Sequence, residues 1–75
     1  MVPMSITPPG MSVGWWIELP LGEDAEPTWA QIDVLLDPSS TGDDRWAVRV
    51  RRGRDDWWVK IHPDLWFPVC DVEPT

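Results

Sequence analysis

The residues that could do chemistry are few. His62 and Cys70 are each the sole representative of their type in 75 residues. Together they would have to supply any thiol–imidazole pair, which needs hydrogen-bond contact and an oxyanion site beside it. Cys70, between Val69 and Asp71-Val72, reads as a small core residue, and His62 ends a strand beside Pro63. The same two side chains make half of a tetrahedral zinc site, with two carboxylates required for the rest. Asp43-Asp44 and Asp55-Asp56 are adjacent acids of the kind used in acid–base work or cation binding. Both pairs flank turns before strands, where aspartate bonds local backbone, and no glycine-spaced calcium loop accompanies them. We therefore expect no enzyme, no metal and no cofactor.

Binding chemistry is better represented. Residues 1–44 carry eight acids and no base, residues 45–54 five arginines and no acid, and residues 55–75 five acids and one lysine. Strand alternation would put Arg45, Arg49 and Arg51 on one outward strip. Such a strip suits an anionic partner, or it pairs with neighbouring Asp and Glu while stacking on Trp58. The net charge of −7 opposes approach of a polyanion, so nucleic acid is disfavoured as a partner. Trp16 and Trp58 fall on outward positions of strands expected to be neighbours, with Lys60 beside them, and aromatic rings bordered by arginine have the composition of interface hot spots. Trp29 and Trp66 are weaker candidates for the same surface.

The elements that must position these groups follow from alternation. Val13 to Leu19 alternates, with Val13, Trp15, Ile17 and Leu19 inward and Trp16 and Glu18 outward. Residues 20–27 form an acidic, proline-bearing loop. Residues 29–36 read as a strand with Ala30, Ile32, Val34 and Leu36 on one face. The alternative is a helix over residues 28–37, capped through Thr28 and Gln31, which would make the fold α+β. Residues 37–44 are a loop by composition. Trp46, Val48 and Val50 then alternate with the arginines, Arg52-Gly53-Arg54-Asp55-Asp56 makes a tight hairpin connection, and Trp57, Val59 and Ile61 return inward with Trp58 and Lys60 outward. Leu65 to Val72 supplies a short turn and a closing strand. Residues 1–12, with three prolines and no period, are expected to be an extended arm ahead of a single domain over residues 13–75.

So small a domain stabilises itself by disulfides, metal, oligomerisation or dense packing. A lone cysteine excludes an internal disulfide. Seven tryptophans favour packing and self-association, since each ring can bury about 150–250 Å².

The segments Val13-Gly14-Trp15-Trp16-Ile17-Glu18-Leu19, Trp46-Ala47-Val48-Arg49-Val50, Trp57-Trp58-Val59-Lys60-Ile61 and Leu65-Trp66-Phe67-Pro68-Val69 resemble, in strand length and order, the SH3-like small barrels, the class of SH3, Tudor and KOW domains. The resemblance covers residues 13–72. It implies an all-β barrel of about five strands, with a binding or assembly role. A tyrosine-lined SH3 peptide groove is missing, because the chain has no tyrosine. His62-Pro63-Asp64 also spells the tripeptide of J-domain co-chaperones, but that motif sits between two helices, which are not visible here.

The expectation is a non-catalytic protein-binding or assembly module. Its surface is Trp16, Arg45, Arg49, Arg51, Trp58 and Lys60, and its partner is another protein or a second copy in a homodimer. An acidic decoy of a nucleic-acid-binding protein and nucleic-acid binding through Arg45–Arg54 are the alternatives. The longest uncharged stretch, residues 1–17, holds three prolines and two glycines, so neither a membrane span nor an export signal is expected and the location expected is cytoplasmic.

Overall fold

The computed structural model describes residues 4–20, 22 and 24–74. Met1, Val2 and Pro3 of the expected arm, and Leu21 and Glu23 of the acidic loop, lie outside the described residues. The chain forms strands β1 (Met4–Ile6), β2 (Trp16–Pro20), β3 (Pro27–Leu36), β4 (Trp46–Arg52), β5 (Asp55–Ile61) and β6 (Phe67–Cys70). A single 3₁₀ turn (Pro8–Gly10) follows β1, and a one-turn helix α1 (Pro38–Thr41) joins β3 to β4. All pairings are antiparallel, in one six-stranded sheet of order β1-β6-β2-β3-β4-β5. The fold is thus all-β, with six strands among the described residues where about five were expected, and residues 27–36 form strand β3 in place of the helical alternative for residues 28–37.

Alternation decides most of the packing. Ile17 and Leu19 of β2, Ala30 and Ile32 of β3, Val48 and Val50 of β4, Ile61 of β5 and Val69 of β6 share one buried cluster. Met11 joins it from the segment after the 3₁₀ turn, and Ile6, Trp15, Leu35, Trp46, Trp57, Val59 and Phe67 close its margin. One core touched from every strand means that the sheet curls around a single apolar interior. The radius of gyration, 11.6 Å, is close to the roughly 11 Å expected of a compact chain this long.

Three local features depart from simple alternation. Val13, expected inward, is 59% exposed, because β2 begins only at Trp16. In β3 the register shifts between Ile32 and Val34: Ile32 pairs with Val50, Val34 with Arg49 and Leu35 with Val48. Asp33 is the extra residue of a β-bulge, and a bulge reverses the facing of everything beyond it. Leu35 therefore turns to the core, while Leu36, expected inward, is exposed. Thirdly, the residues read as an arm carry β1, which pairs with β6 as Met4 with Val69 and Ile6 with Phe67, and bury Pro8 and Met11.

The β4–β5 connection follows its sequence closely. Arg52 pairs with Asp55 across a two-residue turn, and Gly53 adopts φ +63°, the left-handed region that glycine enters without steric cost. Asp37 caps α1 by accepting from the Ser40 backbone N–H at 2.9 Å. That hydrogen bond and one from the Ser39 hydroxyl at 2.8 Å favour its ionised form; the contact with Ser39 is the larger cause of a lowered pKa.

Candidate interaction surface

The face of the sheet turned away from the core carries the expected binding residues. Antiparallel register places Cys70, Trp16, Gln31, Arg51 and Asp56 in one row running from β6 to β5. Beside it, Val34, Arg49 and Trp58 form a second row across β3, β4 and β5. Residues directly opposite on one face are the pairs that interact in a sheet, so these rows define the local chemistry.

The rows do not bring all six expected residues together. β3 and β4 lie between β2 and β5, so Trp16 and Trp58 are not on neighbouring strands; three strand spacings separate them, roughly 14 Å. Trp16 is half-buried, flanked by Gln31 and Cys70. Trp58 is 55% exposed, directly opposite Arg49. Arg45 and Lys60 belong to a separate group around Asp43, with the Lys60 ammonium 2.8 Å from its carboxylate and the Arg45 guanidinium 3.7 Å away.

Acids partner Arg45, Arg49 and Arg51. Arg49 donates a charge-assisted hydrogen bond to the Asp56 carboxylate, which raises the guanidinium pKa further, and it lies 3.9 Å from Asp33. Arg51 approaches the same Asp33 at 3.8 Å, so the bulge that re-aims β3 also offers one carboxylate to two arginines. Arg52 donates to the Thr28 hydroxyl at 2.8 Å. Asp43 is held well below the usual carboxylate range, first by its hydrogen bond from Lys60. The strip is thus a charge-neutralised lattice around an exposed ring. Asp33 and Asp56 were not singled out by sequence reasoning as its partners. Asp56 could have been, because a two-residue turn after Arg52 forces it opposite Arg51.

Other features add no exposed side chain to these rows. Leu65 and Trp66, 53% and 67% exposed, project from the turn between β5 and β6, making Trp66 more open than Trp58. Cys70 is buried, as expected, yet it lies outside the core cluster on the Trp16 side of the sheet. The His62 ring accepts from the Asp64 backbone N–H at 3.3 Å, a local turn contact. An open cleft of about 630 Å³ lies between the β2–β3 loop and the hairpin turn, walled by Glu26, Thr28, Arg52, Arg54, Asp55 and Trp57. Among the described residues, no helix is long and apolar enough to cross a membrane.

Compared with protein-family models, curated proteins and solved structures, the chain gives no significant match to any of them.

Proposed function

We propose that this protein is a non-catalytic binding and assembly module built on an SH3-like barrel, and that it engages another protein, a second copy included, through the outer face of β4 and β5. The observation that carries the reading is the exposure of Trp58 at the centre of a seven-residue edge strand, beside an arginine whose charge is already matched. A large ring held by a rigid strand loses little conformational freedom on binding, and neutralised charge around it lowers the desolvation cost of contact. The sheet order supports the barrel: the closing strand β6 returns beside β2, the first strand of the β2–β5 meander. The acidic partners of Arg45, Arg49 and Arg51 favour a protein surface over nucleic acid phosphate, since a phosphate would have to displace carboxylates already in place.

The test is Trp58→Ala. Solution mass by light scattering, at two protein concentrations and two salt levels, should show the native protein associating and the variant monomeric but still folded, with a cooperative thermal transition. If the native protein is a monomer throughout, a pull-down with native and Trp58→Ala baits should recover a partner only with the former. Equal recovery by both baits would remove Trp58 from the site.

A further inference from the structure

We infer that two copies of this chain join edge to edge through β5, antiparallel, with Trp58 on the twofold axis and Asp56 of each copy facing Lys60 of the other. The inference rests on the binding-module reading above and names the occupant of its surface.

The open edge comes first. Among the described residues β5 pairs with β4 alone, so one side of a seven-residue strand is unpaired. Its polar groups can be assigned. A two-residue turn closes on Arg52 and Asp55 as a hydrogen-bonded pair, and bonded and non-bonded pairs alternate from there. Asp55, Trp57, Val59 and Ile61 consequently direct their N–H and C=O groups at β4, whereas Asp56, Trp58 and Lys60 direct theirs outward. Those outward groups call for water or another strand.

The sequence of β5 is self-complementary in one register. Pairing two copies antiparallel over the whole strand, Asp55–Ile61, makes its middle residue, Trp58, oppose itself. Asp56 then opposes Lys60 of the second copy, and Trp57 opposes Val59. Each outward N–H meets an outward C=O, because Asp56, Trp58 and Lys60 pair only among themselves. The signs extend beyond the junction: Arg49 holds Asp56, and Asp43 holds Lys60, so charges alternate from one copy into the other. Sliding by two residues in total, which keeps the faces matched, sets Asp56 against Trp58 or against His62 and loses both charge pairs. On the inner side, Trp57 and Val59 already edge the core, so pairing them across the axis carries that core across the junction.

Two variants test the register. Asp56→Lys leaves two like positive positions facing across the axis, and Lys60→Asp leaves two negative ones. Each alone should raise the dimer dissociation constant by at least about tenfold. Mixed in equal amounts they should recover a heterodimer, because every facing pair is again of opposite sign. Amide exchange on the native protein gives an independent reading. The N–H groups of Asp56, Trp58 and Lys60 should slow about tenfold or more above the dimerisation concentration, while those of Trp57 and Val59 are slow at both. Variants that dimerise like the native chain, or edge amides indifferent to concentration in a dimer, would overturn the β5 junction and leave self-association by another part of the face. A native protein that is monomeric at every concentration would overturn the inference and leave the foreign-partner form of the proposed function.

Discussion

Asp43 shows how one carboxylate can tie separate elements. It receives Lys60 from β5 and approaches Arg45 just before β4, and its pKa is lowered chiefly by the Lys60 hydrogen bond. A carboxyl group whose folded pKa lies below its unfolded value contributes stability that is present above the ordinary aspartate range and is lost as pH falls through the folded value. Asp43→Asn should therefore lower the thermal midpoint at neutral pH, with the difference from the native protein shrinking as pH drops below about 4. Melting curves between pH 7 and pH 2 measure it. A difference that stays constant over that range would mean that the charge of Asp43 contributes nothing and that only its shape matters. The arginines were legible in the sequence as a strip, because strict alternation with Trp46, Val48 and Val50 fixes their side of the sheet. Pairing with neighbouring acids was legible as one of two readings of the strip, but Asp33 as the shared partner was not, because it reaches Arg49 and Arg51 from a bulge that the sequence does not announce.

At the scale of elements, the β4–β5 hairpin was readable, since alternation on both strands and a glycine at the turn agree with one another, but its strands run further than expected and leave only Gly53 and Arg54 in the turn. β3 was readable as a strand but not in its facing. Ala30, Ile32, Val34 and Leu36 continue the period without a break, and only the pairing with β4 shows that Asp33 is supernumerary. This gives a sharp expectation for deletions. Removing Asp33 leaves Ile32, Val34 and Leu35 opposite Val50, Arg49 and Val48 in an unbroken ladder, so the shortened protein should still unfold cooperatively. Removing Gln31 instead forces either Ile32 or Asp33 onto the wrong face and should abolish the cooperative transition. Urea titrations of both deletions decide the matter, and equal damage from the two would show that the bulge is needed for more than spacing.

The whole molecule depends on contacts between distant parts of the chain. β1 and the 3₁₀ turn escaped sequence reading because three prolines suppress any period in that stretch, and three residues are too few to show alternation. Yet Met11 is 7% exposed within the common core and packs with residues from five strands. Met11→Ala should destabilise the protein by about 2–4 kcal/mol, as loss of a buried long side chain does. Chemical denaturation measures it, and a cost under about 0.5 kcal/mol, typical of a surface site, would mean that this segment only rests on the domain. Strand order was likewise beyond the sequence. Which strands become neighbours is set by how the sheet packs around one core, and so the separation of Trp16 from Trp58 emerged only from the structure.

The pairing of β1 with β6, and of β6 with β2, has a consequence for how the protein is made. β1 and β2 precede β6 in the chain, so two strands wait for one partner until residues 67–70 have been made. Until then one flank of β2 stays unpaired and the seats of Phe67 and Val69 stay empty. Arrival of the final strand supplies both missing pairings at once. Neither pairing can form before residues 67–70 are available, and a chain halted before residue 67 presents an open flank that β6 covers in the folded domain.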